Sequence, residues 1–252
     1  MNIIDDLIAS LRGDAPLREV RVCAFWTAVV LEDGRCGLAS TLRPDEPQCA
    51  GPTPLVPRAG RLLEYSALEL AEYAKSESLL EASIGLAAIN ALLEVDESRC
   101  VELNAEEVIL EQGTGRKVAI VGHFPFIPRV REVAEELWVL EKRPVGGDLP
   151  ADMAAEVLPQ ADVAAITGTS LINHTFEGLM KLCRPGALVI VLGPTAPLSP
   201  VLFDYGADII CGTLVTDAEN VLRLIGQGAN FGQVKRGGGV RLLTMARTQH
   251  ST

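Results

Sequence analysis

Residues 161–175 read ADVAAITGTSLINHT. Val163 to Ile166 is a short apolar run bounded by small polar residues. That pattern fits a strand buried on both faces, as in a parallel sheet. The run stops in Thr167, Gly168, Thr169 and Ser170; Asn173, His174 and Thr175 follow, with a helix expected to begin near Asn173. One hydroxyl or amide is enough to cap a helix. The surplus here points to a ligand site in which Thr167, Thr169, Ser170 and Asn173 cap the helix, bind ligand oxygens, or do both.

The same pattern recurs on both sides of this stretch. KVAIVGHF (117–124), LWVLEKRP (137–144), ALVIVLGP (187–194) and ADIICGTLV (207–215) read as four further strands. Helices are predicted after Pro128, over about 150–158, near Ser199 and after Asp217. Strand–helix alternation of this kind predicts a Rossmann-like, doubly wound parallel sheet. The closing stretch VKRGGGVRLLTMAR (234–247) reads as a flexible joint leading to an edge strand.

The first part of the chain has a different grain. Residues 3, 4, 7, 8 and 11 are apolar at helical spacing. Glu19–Glu32 reads as one strand, Asp33-Gly34 as a hairpin turn, and RCGLAST (35–41) as the return strand. A loop with prolines at 44, 47, 52, 54 and 57 is followed by helices over about 66–74 and 79–93. Gly85, Ala87, Ala88 and Ala91 on the second helix let another backbone come close. The whole is a smaller α+β unit. The polar, glycine-bearing stretch EQGTGRK (111–117) places the boundary, giving domains 1–113 and 114–252.

Composition agrees with an α/β core. The chain has 252 residues, 48% hydrophobic and only 4% aromatic, so Ala, Val, Leu and Ile must fill the interior. The net charge of −11 repels polyanions and anionic lipid, which argues against nucleic acid as a partner. No segment reads as a signal peptide or a bilayer span, so no membrane insertion is expected. The six cysteines form no CxxC pair. These features fit a reducing cytoplasm.

In doubly wound sheets, ligands sit beyond the carboxyl ends of the strands. Those ends carry Gly122-His123, Glu141-Lys142-Arg143, Thr167-Gly168-Thr169, Gly193-Pro194 and Gly212-Thr213. Backbone N–H groups after the first and fourth strands are expected to hold anionic oxygens. GxGxxG is absent after the first strand, although Glu141 stands where a ribose-binding acid would. A transition metal is a second reading of the same edge. If the first and third strands are neighbours, His123 and His174 could converge as ligands with Glu141, and Cys211 could join them. His250 falls in a terminal tail. No GxSxG elbow is present, and Cys211 reads as a nucleophile candidate or a buried thiol.

VGHFPFI, VLEKRP, ITGTSLINHT, VLGPTAPLSP and CGTLVTD occur in this order. Together they resemble a prokaryotic family described as putative heavy-metal chelation proteins. Its C-terminal part is a Rossmann-like domain of unknown function, and its N-terminal part resembles the N-terminal domain of enolase; GLASTL and SIGLAAINALL look like that part here. The resemblance implies a site in the cleft between the two domains, formed by Gly122, Glu141, Thr167, Gly168, Thr169, Asn173, Thr175, Gly193 and Pro194, and completed by Asn90. It does not bring enolase chemistry, which belongs to a barrel domain that this chain lacks.

The expectation is therefore a cytoplasmic protein, with room for a homo-oligomer, whose partner is a small polar or anionic ligand, a metal or a metal chelate. The rival is an enzyme using a nucleotide-type cofactor such as S-adenosylmethionine, with Glu141 on its ribose.

Overall fold

A computed structural model describes residues 2–44 and 54–247. Part of the proline-rich loop, with Pro47 and Pro52, lies outside the described residues, as do Cys49 and His250.

Asn2 and Asp5 form a capping box that starts α1 (Ile3–Ala9). Three antiparallel strands follow in the order β1-β2-β3: β1 (Leu17–Val22), β2 (Trp26–Leu31) and β3 (Cys36–Ser40). The single strand expected over 19–32 is thus two. The chain reverses at Cys23–Phe25, where the Cys23 N–H bonds the Trp26 carbonyl at 2.8 Å. The apolar pattern runs unbroken through this turn and hides it. The Asp33-Gly34 turn is present, with Gly34 at φ 91°. Helices α2 (Ala67–Ala71) and α3 (Leu79–Leu92) complete this unit.

Strand β4 (Cys100–Val101) and helix α4 (Ala105–Gly113) lead into the larger sheet. Its further strands are β5 (Lys117–Val121), β6 (Glu136–Glu141), β7 (Leu149–Pro150), β8 (Val163–Thr167), β9 (Leu188–Leu192), β10 (Ile209–Val215) and β11 (Val240–Ala246). The order is β4-β11-β10-β9-β8-β5-β6-β7. From β10 to β7 every neighbouring pair is parallel, while β11 runs antiparallel to both of its neighbours, β10 and β4. The architecture is the expected Rossmann-like α/β sheet beside a smaller antiparallel sheet. Because β5 and β8 are neighbours, the switch point lies between Val121 and Ile166, which share a register position.

Helices between strands cover both faces: α5 (Ile127–Val133), α6 (Ala154–Val157), α7 (Thr169–Ile172), α8 (Phe176–Leu182), α9 (Val201–Asp204), α10 (Ala218–Gly226) and α11 (Phe231–Gly237). Alternation along each strand divides the core accordingly. Ala119, Ala164, Ile166, Val189 and Val191 face one layer, which includes α3; Val118, Ile120, Val163, Ala165, Ile190 and Leu192 face the other. The small sheet is buried on both faces too. Val29 and Leu31 join the core around α3, while Ala28, Val30 and Leu38 pack with Val221, Leu222 and Ile225 of α10 and Val234 of α11.

Three further expectations are corrected. The helix expected near Asn173 begins earlier, as α7 at Thr169; Asn173–Thr175 break it before α8, with His174 at φ 57°. Lys235 and Arg236 lie in α11, which the Asn230–Gln233 capping box starts, so this stretch is helical up to Gly237. Strand β11 is also not an edge: β4 pairs with it at Thr244 and Met245.

Candidate functional site

Two concavities run along the carboxyl edge of the parallel strands, of about 630 and 570 Å³. Gly122, Glu141, Thr167 and Thr169 line both, so they form two lobes of one cleft at the switch point. The first lobe adds Asn173 and Thr175, with Arg43, Lys142 and Arg143 at its rim. The second adds His123, Gly193, Pro194 and Thr195, and an aromatic wall of Trp26, Phe124, Phe126 and Phe231. The Phe124 and Phe126 rings stack at 5.1 Å between centroids. Four aromatic residues in one lobe are notable in a chain with eleven Trp, Tyr and Phe (2, 3 and 6).

The hydroxyls at the end of β8 are arranged as a group. Thr167 Oγ1 lies 3.0 Å from Thr169 Oγ1 and accepts from the Thr169 N–H at 3.3 Å. Ser170 Oγ, buried inside α7, donates to the Thr167 carbonyl at 2.7 Å. Asn173 Oδ1 accepts from the Thr175 hydroxyl at 2.6 Å and its N–H at 3.3 Å, stabilising the break between α7 and α8. The surplus of small polar groups is thus divided between bracing the turns around α7 and lining the cleft, and no side chain caps α7 or α8.

The expected backbone cradle for anions is not free. Gly122 N–H donates to the Leu140 carbonyl at 2.9 Å and Gly193 N–H to that of Cys211 at 3.1 Å. The His123 N–H goes to Glu141 Oε2 at 3.0 Å. Parallel pairing continues one residue past β5 and β9 and consumes the two glycine donors. Gly122 (φ 105°) and Gly193 (φ 107°) instead serve the sharp exit of the chain from its strands. Glu141 is equally engaged: its Oε1 accepts from Lys142 N–H at 2.7 Å and Arg143 N–H at 3.3 Å.

Three candidate residues lie outside the lining. A Cβ on Gly168 would fall 2.5 Å from the Ala196 amide nitrogen, so this glycine allows two loops to meet. Asn90 donates from α3 to the carbonyls of Leu38 and Thr195, bridging the two sheets' elements. His174 does not converge with His123. Its Nε2 lies 3.0 Å from the Ser76 carbonyl, and it borders a separate concavity with Asn2, Lys75 and Glu177. The left-handed backbone at His174 turns the ring away from the strand ends.

Cys211 lines the second lobe but is buried, and that burial pushes its thiol up to about 11, which disfavours the thiolate. Among the described residues no three His, Cys, Asp or Glu side chains gather as a metal site. Sequence reasoning missed Asp148. Its carboxylate accepts from His123 Nδ1 at 2.8 Å, across a separation of 25 residues that leaves no local signal. No helix of the described residues is long and apolar enough to cross a membrane.

Fold and cleft together define a Rossmann-like α/β protein with an open cleft at its switch point. The chain belongs to the DUF364 family, described as "Putative heavy-metal chelation", whose model matches residues 104–244. A second model with the same description, DUF4213, matches residues 4–93. A crystal structure of a DUF364-family protein of unknown function from Desulfitobacterium hafniense superposes with a TM-score of 0.83 at 28% identity, over 97% of this chain and 98% of that one. A Pyrococcus horikoshii protein of the same family gives 0.77 at 22% identity, over 97% and 98%, and speaks to the fold alone. An uncharacterized protein of Methanocaldococcus jannaschii is 29% identical over 163 residues, 61% of this chain and 62% of that protein's length.

Proposed function

We propose that the chain binds an anionic metal chelate in this cleft, with most of the metal's coordination supplied by the chelator. One observation carries the reading: a cleft rimmed by Arg43, Lys142 and Arg143 and floored by Thr167 and Thr169, in a chain of net charge −11. A local basic rim on an acidic protein favours a small anion. The absence of a three-residue metal cluster among the described side chains is consistent with a metal that arrives already wrapped. Thr167, Thr169, Asn173 and Thr175 would orient the ligand's oxygens, and the aromatic wall would hold an apolar or flat portion.

The nucleotide-cofactor reading has weaker support, because Glu141 already accepts three backbone N–H bonds at the strand ends. Thermal unfolding tests the proposal with divalent nickel alone, citrate alone and nickel citrate. Stabilisation by the complex beyond either component supports it, since only a ligand of the folded state raises the midpoint. Stabilisation by bare metal alone, insensitive to Lys142→Glu, refutes it.

A further inference from the structure

Asp148 and His123 form a pair that neither spacing nor family resemblance indicates. The His123 Nδ1 lies 2.8 Å from Asp148 Oδ2, and the Asp148 side chain is 2% exposed while that of His123 is 44% exposed. Asp148 is itself fixed, because its Oδ2 also accepts from the Val145 N–H at 3.2 Å. The His123 main chain is held from the other side by Glu141. A carboxylate only accepts, so Nδ1 carries the hydrogen and the lone pair of the neutral ring stands on Nε2. His123 lines the aromatic lobe, and Nε2 has no partner among the described residues.

A ring nitrogen oriented by a carboxylate on its other nitrogen is the arrangement of a metal-ligating histidine. A lone imidazole holds a free ion weakly. It becomes an effective ligand when a chelate arrives with an open coordination position and the cleft holds its anionic part. We infer that His123 Nε2 is the one protein ligand to the metal of an incompletely coordinated chelate, with Asp148 as its positioning residue; this rests on the chelate-binding reading. The class of ligand is an anionic chelate of a borderline divalent transition ion, the kind imidazole suits. The bond is a simple coordination: the Nε2 lone pair displaces a metal-bound water, with no change of oxidation state.

The test uses the full chain with ¹⁵N-labelled histidine and zinc nitrilotriacetate, a diamagnetic chelate with open positions. His123 is assigned by His123→Gln. Expected are an Nδ1–H tautomer before addition and a saturable shift of the His123 Nε2 resonance on addition, while His174 stays in place. Asp148→Asn should keep the fold, lose the fixed tautomer and weaken the complex by about 10–100-fold. A His123 resonance unmoved at saturating zinc nitrilotriacetate overturns the inference, as does an unchanged affinity in Asp148→Asn. A coordinatively saturated anion, cobalt(III)–EDTA, separates the two claims. If it protects Lys142 from acylation while zinc nitrilotriacetate leaves His123 unmoved, the cleft reading stands and the histidine's role falls. If neither complex binds, both fall.

Discussion

Asn90 Nδ2 donates to the Leu38 carbonyl at 2.9 Å and to the Thr195 carbonyl at 3.2 Å, so one side chain of α3 joins β3 to the loop after β9. Thr195 is 1% exposed, and its hydroxyl accepts from the Ser40 N–H at 3.0 Å. The small sheet and the large sheet are therefore fastened beside the cleft by three polar groups. Removing Asn90 leaves two carbonyls short of a donor in a water-poor place.

Asn90→Ala is expected to destabilise the fold by about 1–3 kcal/mol, the cost of unsatisfied buried acceptors. Urea unfolding measures it. A change below about 0.5 kcal/mol would show that water replaces the amide there.

Thr167→Val and Thr169→Val keep shape and remove hydroxyls that line both lobes. Each should weaken ligand binding about tenfold, close to 1.4 kcal/mol for one hydrogen bond, with the unfolding midpoint little changed. Calorimetric titration on the folded variants checks this. A variant that unfolds instead would make the pair a structural cap.

Burial raises the thiols of Cys211 to about 11 and Cys36 to about 12. The unfolded chain releases these protons near the ordinary thiol value of about 8.5. Above that pH the unfolded state binds fewer protons than the folded one, so stability is intact below about 8.5 and falls progressively towards 11–12. Melting temperatures between pH 8 and 11 should decline, and Cys211→Ala should flatten the decline while lowering the whole curve.

The sheet was legible because its strands are continuous apolar runs such as VAAI and VIVL, spaced by helical segments in the alternation that builds a doubly covered parallel sheet. The close approach at α3 was legible as well. A Cβ on Gly85 would sit 1.9 Å from the Ala74 amide nitrogen, so Gly85→Ala is expected to cost at least about 1–3 kcal/mol, visible in the urea midpoint. The turn at Cys23–Phe25 was not legible, since it lies inside an unbroken β-forming run without glycine or proline.

At the cleft, sequence pointed to the strand ends because topology alone places them there. It could not say which backbone donors were spent. Gly122 and Gly193 look like anion binders in sequence, yet their N–H groups continue the sheet. Nor could it pair His123 with Asp148, which meet only through the fold. His174 was placed with His123 on chain direction, and one left-handed residue turned it elsewhere.

The central claim is that the cleft holds a metal with its chelator. Native mass spectrometry with elemental analysis, on protein prepared without chelators or affinity tags, tests it most directly. The expected result is an adduct containing both a metal and an organic mass, lost together in a Thr167→Val/Lys142→Glu variant that remains folded. An adduct of metal alone, or one that persists in that variant, would contradict it.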